Sequence, residues 1–228
     1  MPAEEQEPLD LTPPRMFRFV YAVVGAVLGW LFQLRWEHVD RVPATGPVVV
    51  VSNHVSMADP PILGLGLPWR RSIRFMAKEE LFDRGPVGWF VRTVSAFPVK
   101  RGGADRSAIR MALAILKAGG VVGVFPEGTR IREGEVGEVH QGAAFIANMG
   151  SATIVPAGVS GTDRLWPSVR RPSFAKVTVV FGEPILPASV ADLPRGERAA
   201  ELTKALMSGV VAAKAEADAI QREREGRT

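Results

Sequence analysis

The chain of 228 residues has no cysteine. That excludes a disulfide framework, a thiolate zinc site, an iron–sulfur cluster and a cysteine nucleophile, and it fits a reducing compartment. Its three histidines, His38, His54 and His140, stand far apart without metal-ligand spacing, so no metal is expected. No G-x-S-x-G elbow occurs, "GVSG" at 158–161 falling short of one, and no phosphate-binding P-loop is present. Internal repeats, low-complexity blocks and interdomain linkers are missing too. Long apolar runs are scarce. Phe19 to Leu34 carries no formal charge, but as a helix it covers only about 24 Å, against roughly 30 Å for a hydrocarbon core.

The composition that remains is that of a globular protein, 46% hydrophobic and 23% charged, and the length suits a single domain with a real core. The net charge of +4 is unevenly spread. Residues 70–132 hold 13 Lys and Arg against 5 Asp and Glu, a surplus of +8 that leaves the rest of the chain at −4. The middle of the chain is where an anionic partner belongs, whether nucleic acid, membrane phosphate or a phosphorylated small molecule. Aromatic residues Phe97 and Phe125 sit beside prolines at strand ends, not interleaved with basic residues on a sheet face, so no nucleic-acid stacking platform is expected.

Residues 1–14 are acidic, bear proline and are expected to be disordered. Next comes the apolar segment, with Arg15 and Arg18 before it, Arg35 behind it, and Tyr21, Trp30 and Trp36 near its ends, as at a membrane interface. No small-residue cleavage pattern follows it, so it is not a cleaved signal peptide. Gly25 and Gly29 form a G-x-x-x-G, a close-packing face. A helix lying in the membrane plane over 15–35 is the expectation, with a true span and a buried core helix as the other two readings.

Beyond it, "WEHVDRV" and "VVVV" read as strands around the turn "PATGP", and "PPILGLGL" as a short helix. "SIRFMAK" reads as a strand, and "GPVGWFVRTVSAFPVKRGG" as a helix running into a strand and a basic loop. "ADRSAIRMALAILKAGG" is the clearest helix, with Ile109, Ala112, Leu113 and Leu116 at helical spacing and Gly119 and Gly120 as its stop. "VVGVF" is a buried strand, "QGAAFIANMG" a short helix, "TIVPAGV" and "KVTVVFGEPI" strands, and the chain from about Pro194 a helical tail. Alternation of this kind predicts a single α/β domain with a mostly parallel mixed sheet covered by helices, plus the N-terminal membrane-associated helix. The organisation expected is a leader over 1–14, the apolar helix over 15–35, a catalytic domain over 36–190 and a C-terminal helical tail over 191–228.

Polar loops follow the strands: "SNHVSMAD", "PEGTR", "VKRG" and "AGVSGTDR". Open α/β sheets bind ligands at the carboxyl ends of their strands, so parallel strands would turn these loops to one crevice. Positions five apart lie about 140° apart on a helix, so His54 and Asp59 cannot meet across one. Asp59 instead reads as an N-cap with Pro60 as the first helical residue. The loop then curls His54 toward that helix start and sets a carboxylate against one imidazole nitrogen, the general-base half of a catalytic triad. With no protein nucleophile evident, such a base would act on a substrate hydroxyl. Lys100, Arg101 and Arg130 offer cations for a phosphate.

These blocks together resemble the glycerolipid acyltransferase family, in particular bacterial 1-acyl-sn-glycerol-3-phosphate acyltransferases. "NHVSMAD" resembles that family's N-H-x-x-x-x-D, "AFPVKRG" its second block, "FPEGTR" its third and "IVPAGV" its fourth, over roughly residues 36–190. The resemblance implies that His54 is the base and Asp59 its orienting partner, and that the acceptor hydroxyl attacks an acyl thioester with no covalent enzyme intermediate. It implies phosphate binding by Arg101, an acceptor site shaped by Glu127, Gly128 and Thr129, added charge from Arg130, and lesser phosphate roles for Lys78 and Lys100. It implies a lysophospholipid acceptor and acyl-CoA or acyl carrier protein as donor. It also implies no cofactor, metal or nucleic acid, and work at the cytoplasmic face of the cell membrane, monotopic or peripheral. Lys100 departs from the family, where an acidic residue is common. Other acceptors (glycerol 3-phosphate, another lysolipid, a glycolipid) and a non-catalytic lipid-binding protein of the same fold stay open.

Overall fold

The computed structural model describes residues 11, 15–93, 96–100, 105–125, 139–165 and 175–226. In chain order the elements are α1 (Arg15–Leu31), β1 (Arg35–Glu37), β2 (Val48–Ser52), α2 (Asp59–Leu65), β3 (Ile73–Lys78), α3 (Gly85–Thr93), β4 (Phe97–Val99), α4 (Arg106–Lys117), β5 (Val121–Val124), α5 (Val139–Met149), β6 (Thr153–Ser160), β7 (Thr178–Phe181) and α6 (Arg195–Gly226). They build one α/β domain. The seven strands lie in the order β1-β7-β6-β2-β5-β3-β4, all neighbours parallel except β6 and β7.

The valine run occupies the centre. β2 lies between β5, where Val48 pairs with Val121, and β6, where Val48 pairs with Thr153, and all five of its residues are buried. A strand covered on both faces has no use for polar alternation. Val49 and Val51 face one layer, with Ala108, Ala112, Ile115 and Leu116 of α4, Ala143, Ala144, Ile146 and Ala147 of α5, and Leu202, Leu206 and Val210 of α6. Val48 and Val50 face the other, with Ile62 and Leu63 of α2, Phe75, Val179 and Phe181, and partly buried Leu28 and Leu31 of α1. Each buried valine contributes roughly 1.5–3 kcal/mol relative to exposure.

Three expectations need correction. "WEHVDRV" makes only three strand residues, because His38 takes a left-handed conformation (φ 56°) and starts a 3₁₀ turn over Val39–Arg41. The fully buried residues of α4 are Ala108, Ala112, Ile115 and Leu116, so Ala108 and Ile115 join the spacing read from the sequence, while Leu113 packs partly buried against the same core. Asp59 is not the N-cap of α2: Ala58 is, without a side-chain cap, and Asp59 is the first helical residue.

Helix α1 has 17 residues, and no helix among the described residues is long and apolar enough to cross a membrane. Its inner side packs on the end of α2: the Tyr21 hydroxyl donates to the carbonyls of Gly64 and Leu67, and a Cβ on Gly25 would stand 3.1 Å from Leu65. Burial pushes the Tyr21 phenol above its ordinary pKa. The Arg18 guanidinium lies 3.9 Å over the Trp69 ring. The outer side presents Phe19, Val23, Val27 and Trp30, the last 81% exposed. The core-helix reading thus holds for one side of α1 only. At the far end of the chain, Arg224 of α6 donates to the carbonyls of Val177 and Gln33 and to the Thr178 hydroxyl.

Candidate active site

β2 stops where its side chains turn polar, at the carboxyl edge of the sheet. The last register pair with β6 is Ser52 with Ala157. Asn53 then adds one further rung with its side chain: its Nδ2 donates to the Val159 carbonyl at 3.0 Å, and its Oδ1 accepts the Val159 amide at 2.8 Å. The amide group imitates a peptide and ties the start of the loop to the neighbouring strand. His54 therefore leaves the sheet from a fixed point.

The loop then wraps a carboxylate. Asp59 is fully buried. Its Oδ2 accepts the Val55 amide at 2.7 Å, the Ser56 amide at 2.8 Å and His54 Nδ1 at 3.0 Å. The Asp59 amide donates to the Ser56 carbonyl and the Ala58 amide to the Ser56 hydroxyl, which tightens the turn before Pro60 and Pro61. An oxygen already accepting two backbone N–H groups meets its third partner as an acceptor too. Nδ1 must then carry the proton, and in the neutral ring Nε2 keeps a free lone pair. Nε2 has no partner among the described residues, and the His54 side chain is 33% exposed. An imidazole held by one nitrogen, with its side chain partly exposed, has the arrangement that general-base chemistry calls for.

An aromatic column fixes the ring plane. Phe125, just past β5, stacks on His54 with centroids 4.4 Å apart and 27° between planes, and on Phe75 of β3 at 5.3 Å and 11°. Gly123 makes room for it: a Cβ there would stand 2.4 Å from the Phe75 ring. Asn53, Phe125, Phe75 and Gly123 were absent from the expected site. Asn53 stood in the N-H-x-x-x-x-D block without a role, and the signal for the aromatic pair is the glycine inside an otherwise valine-built strand, a mark of close approach.

The other expected residues divide. Arg101, Glu127, Gly128, Thr129 and Arg130 lie outside the described residues. Lys78 ends β3 and Lys100 follows β4, both exposed at the same sheet edge as His54. Those strands are second and third from β2 on one side, about 10 and 14 Å away at roughly 4.8 Å per strand. Lys100 Nζ stands 3.8 Å from Glu79, and its backbone amide donates to Asp105 Oδ2 at 2.7 Å. The other Asp105 oxygen accepts the Ser107 and Ala108 amides and caps α4. The Lys100 amide first, then the Ser107 hydroxyl and the cap amides, hold the Asp105 carboxyl well below the usual carboxylate range. Among the described residues there is no cluster of three or more His, Asp or Glu side chains suited to a metal.

Comparison with known proteins places this geometry. The family model described as Acyltransferase matches residues 33–160, which takes in β2, the His54 loop and the strands through β6. The 1-acyl-sn-glycerol-3-phosphate acyltransferase of Bacillus subtilis (strain 168) is 35% identical over 194 residues, covering 84% of this chain and 93% of that protein. The enzyme of the same name from Streptococcus pneumoniae is 31% identical over 175 residues, 75% of this chain and 63% of that one. Among solved structures, the 1-acyl-sn-glycerophosphate (LPA) acyltransferase from Thermotoga maritima superposes with a TM-score of 0.63 at 28% identity, covering 90% of this chain and 85% of the other. On the family match over more than half of its length and the agreement of these relatives, the chain belongs to the acyltransferase family and is an O-acyltransferase.

Proposed function

We propose that the enzyme transfers a fatty acyl group from a thioester, acyl-CoA or acyl carrier protein, to the free hydroxyl of a 1-acyl-glycerol 3-phosphate, giving phosphatidic acid. The observation that carries this reading is the His54–Asp59 pair, with Nδ1 bound to a buried carboxylate and Nε2 unpartnered among the described residues. His54 Nε2 takes the hydroxyl proton as the oxygen attacks the thioester carbonyl. The tetrahedral intermediate collapses with cleavage of the C–S bond, and the imidazolium returns its proton to the departing thiolate. Asp59 holds the tautomer and offsets the positive charge on the ring. No nucleophile from the protein and no cofactor enters the sequence.

Arg101 and Arg130, with Lys78 and Lys100, take the acceptor phosphate; Glu127, Gly128 and Thr129 shape its seat. The names of the relatives and the basic surplus over residues 70–132 support this assignment. The protein works at the cytoplasmic face of the membrane as a peripheral or monotopic enzyme, and the outer apolar side of α1 supports that placement. The test supplies radiolabelled acyl-CoA with lysophosphatidic acid or glycerol 3-phosphate in lipid vesicles. Wild type is expected to acylate lysophosphatidic acid, and His54→Ala to lose about three orders of magnitude in kcat. Equal turnover by the two would falsify the mechanism.

A further inference from the structure

Helix α4 carries a stripe of cations that the reaction as described does not use. Its sequence, RSAIRMALAILK, contains no acidic residue. At about 100° per residue, Arg106, Arg110 and Lys117 fall within a sector of roughly 40°. That sector is opposite the buried face made by Ala108, Ala112, Ile115 and Leu116. All three side chains are exposed, and none has an ion-pair partner among the described residues. The nearest described acid, Asp105, spends both oxygens on backbone amides and the Ser107 hydroxyl. A solvated helix face ordinarily mixes its signs, as α6 does with Lys214 on Asp218. Arg106 and Arg110, one turn apart, repel each other, so this pair does not serve the helix itself.

Its position selects the partner. α4 packs on the layer shared with α5 and α6, whereas α1, with its exposed apolar side, packs on the opposite layer. A molecule docked through α1 on a bilayer turns α4 away from the lipid. The helix starts beside the carboxyl end of β4, at the sheet edge where His54 leaves β2, so the stripe leads toward the reacting atoms. From Arg106 to Lys117 it runs about 17 Å, the length of an element on a folded partner.

We propose that the outer face of α4 is the docking surface for an acidic, soluble acyl carrier protein that presents the thioester. The proposal rests on the acyl-thioester reading above. Charge complementarity of this kind acts mainly on association rate and gives it a steep salt dependence. The test compares wild type with R106E/R110E/K117E and the milder R106Q/R110Q/K117Q, using palmitoyl-acyl carrier protein and palmitoyl-CoA as alternative donors. Binding of the carrier protein itself is followed by fluorescence anisotropy.

In both variants kcat/KM with the carrier donor is expected to fall about ten-fold or more and to lose its salt dependence. Activity with palmitoyl-CoA, which also reports an intact fold, stays within about two-fold of wild type. Carrier binding that is absent in wild type, or unchanged in the variants, overturns the proposal. So does an equal loss with both donors. Weaker binding to phosphatidylglycerol vesicles with donor preference unchanged overturns it as well and makes the stripe a membrane contact. Wild type that binds the carrier through α4 but turns over neither donor would sustain the surface and defeat the parent reading.

Discussion

At the scale of single residues, the site is a histidine held from two directions: Asp59 fixes one nitrogen, and Phe125 fixes the plane of the ring. Phe125 touches no reacting atom in this scheme, so it is a positioning residue, and its loss belongs in kcat. Phe125→Leu is expected to lower kcat about ten-fold, through misorientation of the base, with KM within about two-fold of wild type. Phe125→Tyr, which keeps the ring, restores most of the rate. A leucine variant with full kcat would show the stack to be idle. His54 and Asp59 were legible in the sequence because a buried valine run ended at them without a turn signal of its own. Asp59 as the hub of its loop was not. A carboxylate at a helix start can accept amides ahead of it or behind it, and spacing does not say which. The role of Asn53, the first residue of the N-H-x-x-x-x-D block, was illegible for another reason: its partner, Val159, is 106 residues away, and nothing local announces the pairing.

At the scale of elements, strands were legible wherever β-branched residues ran together, and the extent of β1 was not. The three residues of β1 gain their place from pairing with β7 rather than from pattern. Ala108 was missed on the buried face of α4 because alanine marks a face weakly. α6 hides its face likewise: Leu202, Leu206, Val210, Ala213 and Ala217 are buried along a helix rich in alanine and charge. The α4 cap also gives a pH dependence. Asp105 titrates lower in the folded protein than in the unfolded chain, the Lys100 amide being the largest cause. Its contribution is complete above the unfolded carboxylate pKa, near 4, and is lost as the pH falls through the lower folded value. Thermal melts of wild type and Asp105→Ala are therefore expected to differ at pH 7 and to converge in strong acid. A gap that stays constant down to pH 2 would rule the carboxylate out as its source.

At the scale of the whole molecule, two surfaces of opposite character lie on opposite layers: the apolar outer side of α1 and the cationic stripe of α4. This division follows from a sheet covered on both faces. If the α1 side meets the bilayer, the double variant F19D/W30D shifts from vesicles to the soluble fraction in a flotation assay. Its melting temperature should hold near that of wild type, because both side chains are exposed in the free protein. Unchanged flotation would move the membrane contact elsewhere. The mostly parallel sheet was legible at this scale because strands alternate with helices along the chain. The packing of α6 on β6, β7 and α5, and Arg224 reaching back to the Gln33 carbonyl, come from contacts far apart in the chain.

One feature of the sheet bears on how the enzyme turns over. β2 is the middle strand of seven, and His54 follows directly from it through the Asn53 clamp. Amides in such a strand exchange with solvent only when the whole domain opens, while edge loops breathe far more often. The base is thus mounted on the slowest-opening part of the protein. If the product is the two-tailed lipid proposed above, its release does not require loosening of the strand that aims the imidazole.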